Sequence, residues 1–150
     1  MTTTANARSA LKARVGAIDG LSIYWQGDVA PILPDTPAPF AFIMFNNDGS
    51  GRQPVAFGGG RGRNTYRNRA SVEAYVFEPV RTGTPENLLA NAEAIAARLR
   101  SYRDDVVSCT SADVIPIGPG SSLAVPGLSG PVNNYQCAAV EVALTFDQIG

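Results

Sequence analysis

Apolar and polar positions change their spacing several times along this chain, and each change marks an element. Over residues 5–17, Ala10, Leu11, Ala13, Arg14, Val15 and Ala17 favour a helix, and Asp19-Gly20 supplies a turn to end it. Residues 22–26 (SIYWQ) are β-branched and aromatic, and predict a short strand. Four prolines between 29 and 39 remove the backbone donors that a helix or ladder needs, so that segment should run extended, as a strap. Residues 40–45 (FAFIMF) predict a buried strand, 46–51 (NNDGSG) a turn cluster, and 55–57 a brief strand.

The period is clearest in the second half. From Thr65 to Phe77 one long strand is expected, with Tyr66, Ala70, Val72, Ala74 and Val76 on one face and Arg67, Arg69, Ser71 and Glu73 on the other. Thr84-Pro85-Glu86 is a helix start: an N-cap, a proline at the first helical position and an acid in the first turn. Leu88, Ala92, Ile95, Leu99 and Tyr102 then form one stripe that packs on a sheet. Residues 112–117 predict a short strand that Pro116 assigns to an edge or a bulge. Residues 118–131 form a glycine- and proline-rich loop of a length usually functional or disordered. Residues 135–146 close the chain as a strand, with Gln136, Ala138, Val140, Val142, Leu144 and Phe146 on one side. The order is α-β-β-β-α-β-β. It implies one α+β domain over 1–150, a mostly antiparallel sheet packed against two helices, with a flexible N-terminus at 1–4.

Composition narrows the chemistry. A 45% apolar and 17% charged chain has the material for a folded core. A net charge of −1 argues against a general trap for nucleic acid or anionic lipid. The longest apolar run, 38–45, is far short of the ~20 residues of a membrane span, and the N-terminus lacks a signal-peptide core, so no membrane partner is expected. The chain contains no histidine, which removes Ser-His and Cys-His pairs and most zinc sites. Cys109 and Cys137 form no CxxC and are expected to be small buried hydrophobes. Asp104-Asp105, between a helix and a strand, reads as a solvated turn. These readings predict no enzyme, no cofactor and no metal.

One stretch stands out, FGGGRGRNTYRNR at 57–69. Arg52, Arg61, Arg63, Arg67 and Arg69 fall between residues 51 and 72 with no acid among them. A phosphate cradle would need a helix after the glycines, whereas a strand follows, and no Gly-Lys-Ser/Thr is present. The stretch is short and unrepeated for an Arg-Gly RNA binder. It reads instead as a bend opening a strand whose arginines protect an edge or meet a partner subunit. The two PxxP tetrads, at 31–34 and 34–37, read as a rigid strap rather than an SH3 ligand. Trp25 is expected to anchor that strap or the core.

The run from Tyr24 to Phe45 (YWQGDVAPILPDTPAPFAFIMF) carries a resemblance. An aromatic strand, a proline strap and a Pro-Phe-led strand are followed by the glycine-rich loop, the strand ending near Phe77, the Thr-Pro-Glu helix and the strand ending in Phe146. This order over residues 5–148 resembles the tail terminator (tail completion) proteins of long-tailed bacteriophages and related phage-derived particles. The resemblance implies a virion protein at the head-proximal end of the tail, made in the host cytoplasm. It implies a hexameric ring that caps the tail tube, stops its polymerisation and offers the head a docking surface. Its partners would be itself, the tail tube protein and a head-completion or neck protein, with DNA passing through the lumen without specific binding. Subunit or tube contacts are expected at Pro31, Pro34, Arg61, Arg63, Arg67, Arg69, Leu123, Val125 and Leu128. The alternatives are another neck or tail ring component (a head–tail connector or minor tail protein), or a small nucleic-acid binder using the Arg61–Arg69 strip with Tyr66 as a stacking platform.

Overall fold

A computed structural model describes residues 3–28, 36–56, 64–119 and 134–149, and of 48–56, 119 and 149 the backbone alone. The fold is α+β, in the order α1 (Thr4–Val15), β1 (Ser22–Trp25), β2 (Phe40–Ala56), β3 (Thr65–Pro79), α2 (Pro85–Leu99), β4 (Ser108–Pro119) and β5 (Tyr135–Ile149). The strands form one sheet in the order β1-β2-β3-β5-β4. β1 runs parallel to β2, and every other neighbouring pair is antiparallel.

Both helices start on a threonine whose hydroxyl accepts a backbone N–H three residues on, from Asn6 to Thr3 and from Asn87 to Thr84, each at 3.1 Å. α1 stops earlier than Asp19-Gly20 predicts. Gly16, at φ +58°, ends it, and its N–H donates to the Lys12 carbonyl at 3.1 Å. The two C-terminal ends then cap one another. The Arg98 guanidinium donates to the carbonyls of Val15 and of Ala17 (2.8 Å), while Arg14 Nε donates to the Arg98 carbonyl at 2.7 Å. Cations thereby satisfy carbonyls that a helix end leaves without intrahelical partners.

The helices share one face of the sheet. Ala7, Leu11 and Val15 of α1 and Leu88, Ala92, Ile95, Ala96 and Leu99 of α2 are buried there. They pack on Ile43, on Val72 and Val76, and on Val140, Val142, Leu144 and Phe146. Ala41, Ala70, Ala74 and Ala138 between them are small enough for the helices to approach closely. Full burial of each large aliphatic side chain contributes about 1.5–3 kcal/mol. Trp25 belongs to this core, with the Arg8 guanidinium 5.7 Å from its ring centre.

Three expectations need correction. Residues 46–51 are not a turn between strands. Asn46, Asn47 and Asp48 stand in regular register with Ser71, Ala70 and Arg69, and the ladder resumes at Gln53 opposite Arg67. The glycine-rich part falls at the register shift between Asp48 and Gln53, so the local turn signal marks an irregularity within β2 rather than its end. The expected brief strand at 55–57 is the last part of the same strand as far as Ala56. The strand at 112–117 is also longer, running from Ser108 to Pro119. It does lie at the sheet edge, and Pro116 does sit at a register shift.

Candidate interaction surface

Strand alternation turns Arg67, Arg69, Ser71, Glu73, Tyr75 and Phe77 away from the helices. Across the register stand Asp147, Thr145, Ala143, Glu141, Ala139 and Cys137 of β5. This second face divides in two. At one end Phe40, Phe42, Met44, Phe77, Tyr135 and Cys137 form a separate buried cluster. Phe40 stacks on Phe77 at 4.6 Å, and Tyr135 meets both edge-on. The other half is polar, with Arg67, Arg69, Ser111, Asp113, Glu141 and Ala143 exposed.

Charge is ordered along that polar half. Arg67 donates to Asp147 through Nε (2.8 Å, to Oδ1) and through its second terminal nitrogen (2.9 Å, to Oδ2), a two-pronged cross-strand pair. The Arg67 hydrogen bond holds the Asp147 carboxyl below its usual range despite desolvation, and the charges of Arg67 and Arg103 reinforce this. Arg69 stands between Asp48 of β2 and Thr145 of β5. Glu73, Glu141 and Asp113 form a carboxylate row across β3, β5 and β4 in direct register. Like charges placed directly opposite destabilise a ladder. Tyr75 donates from its hydroxyl to Glu73 Oε2 at 3.4 Å. Burial first, and then the Glu73 charge, push that phenol above its usual range.

A depression of about 410 Å³ lies at the corner where β5 ends and β4 begins, lined by Arg67, Arg103, Asp105, Ser108 and Asp147 among others. Asp104 lines it too but serves the turn. Its Oδ1 accepts from the backbone N–H groups of Val106 and Val107, both at 2.7 Å, and its Oδ2 accepts from the Tyr102 hydroxyl at 2.8 Å. Desolvation pushes this carboxyl up, yet the three hydrogen bonds together outweigh it and leave it lowered. Asp105 is exposed. The pair is a turn, with Asp104 half-buried as its brace. Among the described residues no group of three or more His, Cys, Asp or Glu side chains could hold a metal ion. Both cysteines are buried and free, and burial pushes the Cys109 thiol up to about 11 and the Cys137 thiol up to about 12. No described helix is long and apolar enough to cross a membrane.

Of the expected contact residues, Arg67 and Arg69 lie on the polar half-face, one already paired within the fold. Pro31, Pro34, Arg61, Arg63, Leu123, Val125 and Leu128 lie outside the described residues. Sequence reasoning placed Glu73 on this face beside the arginines, but missed Asp147 as the partner of Arg67 and the alignment of Glu73 with Glu141 and Asp113. The signal that finds them is strand register: β3–β5 pairs Arg67 with Asp147 and Glu73 with Glu141, each more than 60 residues apart along the chain, and β4–β5 adds Asp113.

No family model matches the chain, and no curated protein matches it. Thirteen solved chains do match it in structure. One superposes with a TM-score of 0.55 at 15% identity, over 100% of this chain and 99% of the other. At that identity the likeness shows the fold alone, recurring end to end in another protein.

Proposed function

We propose that this chain is a structural ring subunit of the tail terminator kind, one that caps a phage-type tail tube, ends its growth and presents a surface to the head. The observation that carries the reading is the element order, α-β-β-β-α-β-β with a five-stranded sheet, which agrees with the order on which the resemblance rests. The polar half-face supports it as surface left for assembly, since the helices take only the opposite side. A hexamer closing head to tail would use two different patches of each protomer. Its partners would be further copies, the tube protein and a neck or head-completion protein, in the virion. Another neck or tail ring component would use the same surface.

Nucleic-acid binding through the Arg61–Arg69 strip has less support. Arg67 is neutralised by Asp147, and the row Glu73, Glu141 and Asp113 would repel phosphates on the same face.

Light scattering after size exclusion, over a range of concentrations and with and without tail tubes, tests the proposal, with negative-stain images of any large species. The expected result is a closed ring of about six protomers, free in solution or seated on the tube end. A chain that stays monomeric with and without tubes, and binds single-stranded DNA tightly with a steep salt dependence, overturns it.

A further inference from the structure

The polar half of the sheet is complementary to itself. Along β3, Arg69 and Glu73 lie two residues on either side of Ser71, each about 7 Å from it. Arg67 and Tyr75 lie at twice that spacing, also one on each side. A two-fold axis parallel to the sheet and above this face, crossing the strands over Ser71 and Ala143, therefore brings Arg69 of one copy over Glu73 of the other and Arg67 over Tyr75. Each contact occurs twice, as an isologous interface requires. At the axis Ser71, Ala143 and, in register on β4, Ser111 are small, and Asn46 of β2 is the larger side chain in the same row. Ser71, Ala143 and Ser111 line a shallow depression of about 230 Å³ beside the carboxylate row, which leaves room for two sheets to approach.

The charges need such an arrangement more than the isolated fold does. Among the described residues Arg69 has no ion pair, and no cation is paired with Glu73, Glu141 or Asp113. We propose that this half-face docks a second copy of the chain, two-fold related, with Arg69 of each protomer set against Glu73 of its partner. The contact is separate from ring closure. A self-complementary face closes with two copies, and rings carrying it could stack face to face.

Sedimentation equilibrium on wild type, Arg69→Glu, Glu73→Arg and the double variant tests the contact, with thermal melts confirming that each is folded. Wild type should dimerise, more weakly as salt rises, and each single variant should weaken the dimer by about ten-fold or more. The double variant should recover it, as should an equimolar mixture of the two single variants, where every contact again joins opposite charges. Glu73→Gln, which keeps the shape, should weaken the dimer without adding repulsion. A wild type that is neither dimeric nor stacked in rings overturns the proposal, as do single variants that associate as tightly as wild type. Rings that form but ignore these substitutions overturn the face contact and leave ring closure standing. A dimer that obeys them without any ring does the reverse.

Discussion

Asp104 and Asp147 sit at the same corner of the sheet, and both carboxyls are held below their usual range by different neighbours. Asp147 owes its shift first to Arg67, and both members of that pair are nearly half exposed. Exposed pairs contribute about 0–1 kcal/mol because water and salt screen them. Asp104 instead collects two backbone N–H groups and a phenol inside one turn, and its loss would strip partners from three donors at once. Asp104→Ala should therefore cost about 1–3 kcal/mol of unfolding free energy in urea, and Asp147→Ala less than about 1 kcal/mol. Equal costs would mean that the Arg67–Asp147 bridge, and not the turn, holds this corner.

At the scale of elements, the junction of β3 with α2 is closely packed. Glu78 is only 2% exposed, and its Oε1 accepts from Asn87 Nδ2 at 2.7 Å. A Cβ at Gly83 would lie 2.3 Å from Glu78 Cγ, so the glycine is there for space. Gly83→Ala should destabilise the protein by about 1–3 kcal/mol, and by clearly less in a Glu78→Ala background. Additive costs in that double-mutant cycle would show that the two positions do not collide. Nothing in the sequence singles out Gly83 or Glu78, because their meeting depends on how the chain turns from strand to helix. What was legible is what local spacing encodes: the Thr-Pro-Glu start and stripe of α2, and the two faces of β3 and β5. What was not legible is non-local. β2 runs through NNDGSG because β3 pairs with it on both sides of the glycines, overriding a turn signal that any local reading would accept. The same holds for the candidate surface. Arg69 and Glu73 could be put on one face from period alone, but Asp147, Glu141 and Asp113 reach it only through strand pairing.

For the whole molecule, the titrating groups predict the shape of the pH–stability curve. Asp28, bonded first by Lys12 and also by Arg8, joins Asp104 and Asp147 in having a lowered carboxyl. A lowered carboxyl contributes stability that is complete above its unfolded value of about 4 and lost as pH falls through the folded value. The thiols act in the opposite direction. With Cys109 raised to about 11 and Cys137 to about 12, their contribution is complete below the unfolded thiol value of about 8.5 and lost as pH rises through the folded ones. With no histidine in the chain, no side chain of ordinary pKa titrates between these limits. Thermal melts across pH should therefore show a plateau from about pH 5 to about pH 8, with stability falling on both sides. Replacing both cysteines by alanine should lower the plateau through lost packing but flatten the alkaline limb. An alkaline limb unchanged in that variant would assign it to the raised phenols Tyr75 and Tyr102 instead.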